Sequence, residues 1–219
     1  MKTDKQLYID IADKLEFMPA IDATNVTIGV HSGIVTIGGT VHSYAEKKLA
    51  ERAVQNVEGV KGVANEVEVK LHDSLVRSDA EIALVATRAI EWDSTIPKDK
   101  VKVVVEDGFL TLTGELNWQY QRQQAGKGVR YIVGVKNVDN QIKIKPLGPV
   151  VTAFEVKQKI TKEFERNALI DANNVAIEVD ASKVVLKGNV RSWAEFTEAS
   201  NAAWAIPGVT YVDNRLVVS

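Results

Sequence analysis

The side chains that could carry out chemistry in this chain are few and scattered. The three histidines, His31, His42 and His72, all lie in the first third of the sequence, and no two have the His-x-x-x-His spacing of a helical metal site. There is no cysteine, which excludes thiolate nucleophiles and disulfides. Glu66 and Glu68 would share one face of a strand, and exposure of that face to solvent explains two carboxylates there without a catalytic role. We therefore expect no catalytic residue, no metal site and no cofactor, and we predict that the protein is not an enzyme.

One recurring pattern suits the binding of an anion. Aromatic residues with a polar end occur at three points where a strand is predicted to lead into a helix: Tyr44, Trp118 with Tyr120, and Trp193. The first turn of a helix offers free N–H groups and a positive potential, which suit a phosphate. Tyrosine and tryptophan are also the side chains that favour a membrane interface. These residues are candidates for lipid or anion binding, and the alternative is that the rings cover a core edge or a contact between modules.

The middle of the chain is the best candidate for such a contact. Residues 75–147 carry eleven basic and nine acidic side chains, whereas acidic side chains are in excess on either side of this segment. Glu46 and Glu195 would repel a phosphate from their helical turns, and Gln121 stands at the corresponding position in the middle. Three basic candidates follow on the same predicted helix: Arg122, Lys127 and Arg130. Because attraction to an anionic leaflet is about 1 kcal/mol per basic residue, we expect weak, salt-sensitive binding.

The spacing of these candidates follows an internal repeat. Three sets of residues recur at intervals of 75 and 74 positions: Gly39, Gly114 and Gly188; Gly59, Gly134 and Gly208; Asn65, Asn140 and Asn214. A register kept over this length indicates three copies of one module. We expect the first, second and third modules to span residues 1–72, 76–146 and 150–219.

Each module is predicted to contain two helices and three strands in the order α-β-β-α-β. Apolar residues recur at i, i+4 and i+8 in the first helix. Alternating apolar residues then predict a hairpin, with Ser32-Gly33 and Asp107-Gly108 in the first two turns and a turn without glycine in the third module. A Ser-x-x-Glu capping box begins the second helix at Ser43 and at its counterpart in the third module. The predicted fold class is α+β, with a small three-stranded sheet and two helices on one of its faces in each module.

The repeated glycines are predicted to have structural roles. One set would lie where the second strand turns into the second helix, a place that often needs a positive φ or a close backbone approach: Gly39, Gly114 and Gly188. The other would end the second helix: Gly59, Gly134 and Gly208. Replacing Gly114 by valine is expected to destabilise the second module by about 1–3 kcal/mol.

This order of elements and these motifs resemble the BON domain family. The resemblance rests on the segments 37–41, 112–116 and 186–190 and on the repeated Gly-Val pairs, and it extends over all three modules. It implies a bacterial, non-enzymatic protein of the osmotic or envelope stress response, related to the osmotically inducible periplasmic proteins, that binds phospholipid or a membrane surface. A second implication is a cytoplasmic scaffold or potassium sensor that acts through protein partners.

Composition bounds the partners and the location. With 27 basic and 29 acidic side chains the net charge is −2, so we expect no nucleic-acid partner. No run approaches the ~20 apolar residues of a membrane span, and the first residues contain no apolar signal region. We therefore expect a cytoplasmic location, or a periplasmic one if a signal sequence has been removed. The expected partners are an anionic phospholipid or membrane surface, and a partner protein or a second copy of the chain.

Overall fold

The predicted order of elements is present in each module. The structure is a computed structural model that describes residues 2–145 and 152–219. The first module contains α1 (Asp4–Glu16), β1 (Val26–His31), β2 (Ile34–Val41), α2 (Tyr44–Gln55), β3 (Gly62–Asn65) and β4 (Glu68–Val69). The second contains α3 (Asp79–Trp92), β5 (Val101–Glu106), β6 (Phe109–Leu116), α4 (Gln119–Val129), β7 (Asn137–Asn140) and β8 (Lys143–Ile144). The third contains α5 (Ala153–Arg166), β9 (Val175–Asp180), β10 (Lys183–Val190), α6 (Trp193–Trp204) and β11 (Tyr211–Val218).

The second strand of each module lies at the centre of a mixed sheet. In the first module β2 pairs antiparallel with β1 and parallel with β3, and β6 and β10 have the same place in the other sheets. The last strand is interrupted in the first two modules, where β4 and β8 continue the parallel pairing. In the third module β11 is continuous. The α+β class and the three repeated modules are confirmed, whereas the interruption was not indicated by the sequence pattern.

The core of a module lies between its helices and one face of its sheet. In the third module the buried residues come from both helices and all three strands, and they include Val156, Ile160, Phe164, Val184, Leu186, Ala199, Ala203 and Leu216. Burial alternates along β10, so that every second side chain points to this core. On the other face of the same sheet Glu178 and Lys187 are exposed and form an ion pair at 2.7 Å. The period-two pattern thus builds a sheet with one buried face.

The first helix of each module begins as the sequence predicts. The side chains of Thr3, Ser78 and Thr152 accept a hydrogen bond from the backbone N–H three residues later. The second and third of these helices have complete capping boxes, in which Glu81 or Glu155 also accepts from the backbone of the cap residue. Each cap satisfies N–H groups that the helix itself cannot, typically stabilising it by about 1 kcal/mol.

The first set of repeated glycines lies inside the second strand, so the predicted place at the strand–helix junction was wrong. Gly39, Gly114 and Gly188 pair with the first residue of the neighbouring strand and have φ values of +94°, +139° and +130°. A Cβ atom at any of the three would lie 2.0 Å from the carbonyl oxygen of the residue that precedes this neighbour. Glycine is required because the two backbones approach this closely.

The second set of glycines does not end the second helices. Those helices end at Gln55, Val129 and Trp204, four or five residues earlier. Each of these glycines has a φ near +96° or +98° and is the third residue of a turn: Gly59, Gly134 and Gly208. In the first module the turn is closed by the N–H of Val60, which donates to the Val57 carbonyl at 3.3 Å. A positive φ at this position defines a type II turn and favours glycine.

The chain divides into two compact units. One comprises residues up to Gly114 together with Arg122–Ile142, and the other comprises Glu115–Gln121 together with Lys143–Ser219. Within the described part of the chain, every helix is too short or too polar to cross a bilayer.

Candidate functional site

The start of the second helix is built around one buried polar side chain. In the first module the Glu46 carboxylate accepts hydrogen bonds from the backbone N–H groups of Asp22 (2.8 Å) and His42 (2.9 Å). Ser43 caps α2 as predicted, since its hydroxyl accepts from the N–H of Glu46. The glutamate does not complete the predicted capping box. It links the loop before β1 to the residue before the cap.

The third module repeats this link with Glu195. Its carboxylate accepts from the backbone N–H groups of Asp171 and Arg191, both at 2.8 Å, and from the Arg191 side chain. Burial raises the pKa of Glu195, but these hydrogen bonds and the guanidinium charge outweigh it and hold the pKa below its ordinary value. The sequence contains a signal for the link, because the glutamate follows its distant donor by 24 residues in both modules.

The second module has a neutral side chain at this position. The Gln121 side-chain oxygen accepts from the backbone N–H groups of Asn117 (3.2 Å) and Trp118 (3.1 Å). Pro97 stands at the position of Asp22 and Asp171 and, as a proline, has no N–H to donate. The first turn of α4 therefore lacks the carboxylate that the other two second helices bury.

The aromatic candidates of the first and third modules are held by packing. Tyr44 is only 5% exposed, and its hydroxyl donates to the carbonyl of Val138 in β7 at 3.4 Å. Trp193 is half-buried against the core of its module, with its ring tilted against Phe196 at 5.0 Å between centroids. For these two residues the structure favours the alternative that the rings cover a core edge or a contact between modules.

The aromatic candidates of the second module are open to solvent. Trp118 is 37% exposed and Tyr120 is 52% exposed. They stand where the first module has Ser43 and Ala45, so their rings replace small residues. Among the predicted aromatic residues, these two are the ones whose surface is available to a ligand.

The three basic candidates differ in what they contact. The Arg122 guanidinium donates to the carbonyl of Asn140 at 3.0 Å, while the Asn140 side chain donates to the Arg122 carbonyl at 2.7 Å. Burial lowers the pKa of Arg122 from its ordinary value, with the charge of Asp139 opposing this shift. Arg130 is half-buried, and its Nε atom has no hydrogen-bond partner within the described residues. Lys127, in the last turn of α4, is exposed.

Two further carboxylates have a structural role that the sequence analysis missed. The Asp4 carboxylate accepts from the backbone N–H groups of Ser32 (2.8 Å) and Gly33 (3.0 Å), and these bonds lower the pKa of Asp4. Asp79 binds the turn of the second module in the same way. An aspartate at the first helical position together with a turn at a fixed distance was the available signal. In the third module Ala153 stands at the position of Asp4 and Asp79, so this link between helix and turn cannot form there.

The histidines take part in local contacts. Nδ1 of His42 lies 3.3 Å from the carbonyl of Lys70, and Nδ1 of His72 lies 3.0 Å from the hydroxyl of Ser74. His31 is exposed at the end of β1. Across residues 2–145 and 152–219, no group of three histidines or carboxylates is arranged to hold a metal ion.

Comparison with known proteins gives a family and one curated relative. The profile of the BON domain matches residues 3–70, 78–146 and 152–219. Osmotically-inducible protein Y of Escherichia coli (strain K12) is 28% identical over 135 residues, which cover 57% of this chain and 64% of that protein. The match thus spans less than two thirds of the relative's length.

Two solved structures similar to this chain are distant from it in sequence. CdsD, a structural protein of the type III secretion system of Chlamydia trachomatis, is 16% identical, with 97% of this chain and 92% of CdsD covered and a TM-score of 0.27. The periplasmic domain of PrgH is 8% identical, with 94% and 98% covered and a TM-score of 0.25. Similarities at these scores support no functional conclusion.

Proposed function

The chain belongs to the BON domain family, and from this premise we propose that it is a non-enzymatic protein of the bacterial osmotic-stress response that binds anionic phospholipid at a membrane surface. Its similarity to an osmotically-inducible protein supports the link to that stress. The repeated glycines and Asn140 have structural roles in the modules, which supports a binding function rather than a catalytic one for the repeat.

The observation that carries the proposal is the exposure of Trp118 and Tyr120. Their amphipathic rings suit the boundary between headgroups and acyl chains. Because Tyr44 and Trp193 are held by packing, the second module is the one that presents aromatic surface at the start of its second helix. Gln121 leaves this turn without the carboxylate that would repel a phosphate.

Charge adds a smaller contribution. Lys127 is exposed and can approach an anionic surface, whereas Arg122 is engaged with Asn140 and Arg130 is half-buried. One or two basic residues near a leaflet contribute about 1 kcal/mol each, and the effect fades beyond a Debye length. Binding should therefore be weak, reversible and sensitive to salt.

The test is co-sedimentation with vesicles of phosphatidylcholine alone or mixed with phosphatidylglycerol, at low and high salt. We expect binding to the mixed vesicles at low salt and its loss at high salt. The double variant Trp118→Ala with Tyr120→Ala should bind at least about tenfold more weakly, because partial burial of two rings is worth more than ~1.4 kcal/mol. Lys127→Gln should weaken binding by a smaller factor, about fivefold.

A matched control is available in the same module. Trp92, the last residue of α3, is 89% exposed and is not one of the residues proposed to bind lipid. The Trp92→Ala protein should bind mixed vesicles like the wild type. The proposal is wrong if the wild type ignores anionic vesicles at low salt, or if the double variant binds as well as the Trp92→Ala control.

A further inference from the structure

The first strand of the second module is an open edge of its sheet. Among the described strands, β5 pairs with β6 alone. The turn between them, Asp107-Gly108, has φ values of +51° and +80°, as in a type I′ turn that closes on a hydrogen-bonded pair. Because hydrogen-bonded and non-hydrogen-bonded pairs alternate along the ladder, the backbone groups of Val103 and Val105 point away from β6. Unpaired backbone groups of this kind can accept another strand.

The exposed side chains of β5 have complementary charges when two copies of the strand pair antiparallel. Lys102, Val104 and Glu106 lie on the outer face of the sheet, and Val104 is 57% exposed. If β5 pairs antiparallel with β5 of a second copy about a two-fold axis at Val104, each Lys102 lies opposite a Glu106 and the two Val104 side chains meet. The same register sets Val103 opposite Val105, so that about four backbone hydrogen bonds form between the copies.

This register also brings the charged side chains close together. The Lys102–Glu106 and Val104–Val104 pairs are non-hydrogen-bonded pairs, in which opposing side chains approach most closely. Phe109, the partner of Glu106 in β6, is exposed next to the row formed by the side chains of Lys102, Val104 and Glu106. Its ring adds apolar surface to that of Val104.

The first strands of the other two modules, which are also edge strands, lack this property. In β9 the same operation would place Glu178 opposite itself, and like charges directly opposite are unfavourable. In β1 the central residue of the exposed row is Gly29, which has no side chain to pack and weakens a strand. Thr27 and His31 on either side of it provide no pair of opposite charges.

The helix that packs on β5 is consistent with a contact between copies. The two-fold axis would place both α3 helices on the same side of the joined sheet. Leu84 and Val85 of α3 are about half exposed, whereas the third module has Gln158 and Lys159 at these positions. The second module thus carries apolar residues on this helix at positions where the third module has polar ones.

We propose that the protein forms a two-fold dimer by antiparallel pairing of β5 with β5 of a second copy, in the register that opposes Lys102 and Glu106. This inference is independent of lipid binding. Interfaces well below ~1,200 Å² characterise weak associations, so a dimer held mainly by one strand should form only at micromolar or higher concentration.

Sedimentation velocity of the full chain over a wide range of concentration tests the proposal. We expect a monomer–dimer equilibrium for the wild type. Lys102→Glu and Glu106→Lys should each raise the dissociation constant at least about tenfold, because two attractive pairs become repulsive. A mixture of the two variants should dimerise like the wild type, since each chain then opposes the charges of the other. A chain that carries both changes should also dimerise.

The control is Thr27→Glu, which places a carboxylate at the equivalent position of β1 and should leave association unchanged. Circular dichroism and melting of each variant establish that it is folded. A wild type that remains monomeric at every concentration overturns the proposal. So does a dimer that neither single change weakens, or a mixture of the two variants that fails to associate.

Discussion

Replacing Gly114 by alanine tests the backbone geometry on which every module depends. Gly114 lies in β6 opposite Val101 and has a φ of +139°, which side-chain-bearing residues rarely adopt. An alanine Cβ would lie 2.0 Å from the carbonyl oxygen of Lys100, a backbone atom that cannot rotate away. Either β6 is displaced from the start of β5, or the backbone at residue 114 remains strained.

The size of the effect follows from these two outcomes. A residue held in a sparsely populated backbone region costs about 1–3 kcal/mol. Separating the end of the β5–β6 ladder also removes one or two backbone hydrogen bonds, each worth about 0.5–1.5 kcal/mol. We therefore expect Gly114→Ala to lower the free energy of unfolding of the second module by about 2–5 kcal/mol. For a module of this size that lowers its melting temperature by at least about 10 °C.

Differential scanning calorimetry with amide hydrogen exchange on β5 and β6 measures this loss in the second module. The control is Gly128→Ala, because a Cβ at Gly128 in α4 meets nothing within 4 Å. Alanine is the better helix former by up to about 1 kcal/mol, so the control should be neutral or slightly stabilising. The reasoning is refuted if Gly114→Ala melts within 2–3 °C of the wild type, a shift below ~1 kcal/mol.

Three further predictions concern single side chains. Tyr44→Phe removes the hydroxyl that donates to Val138 and should lower the free energy of unfolding by about 0.5–1 kcal/mol without changing vesicle binding; a loss of vesicle binding would contradict its structural role. The pKa of Glu195 lies below its ordinary value of 4.5, since the hydrogen bonds and the Arg191 charge outweigh burial. Its contribution to stability is therefore present above pH 4.5 and lost as the pH falls through the lower folded pKa. Urea unfolding of Glu195→Gln should consequently show a shallower loss of stability below pH 4.5 than the wild type, and an equal slope would contradict this. Gln121→Glu should destabilise the second module by about 1–2 kcal/mol in the same assay at pH 7, and unchanged stability would contradict it.

The elements of the fold were predictable because they follow local periodicities. Alternation at period two located the strands, and apolar residues at helical spacing located the helices. The role of Gly114 was only half predictable. Its recurrence showed that a side chain is not tolerated, but the atom that excludes one, the carbonyl oxygen of Lys100, becomes a neighbour only when β5 and β6 pair.

The candidate site was also only partly predictable. The sequence showed that aromatic residues recur near the start of each second helix, but burial distinguishes them, and burial depends on distant contacts. Tyr44 is held by Val138, which lies 94 residues away in another module. Similarly, the sequence made Arg122 a candidate for anion binding, whereas its guanidinium donates to a backbone carbonyl 18 residues later. Spacing within one helix cannot reveal partners at these separations.

The internal repeat supplies information that a single module would not. Glu46 and Glu195 each accept an N–H from an aspartate 24 residues earlier, and the second module changes both positions, to Pro97 and Gln121. A proline has no N–H to donate, so a buried carboxylate would lose one of the hydrogen bonds that favour its charged form. The neutral amide avoids that cost. The glutamine that accompanies the missing donor therefore also leaves the first turn of α4, next to Trp118, without a negative charge. This connects the packing of the module to the binding surface proposed for it.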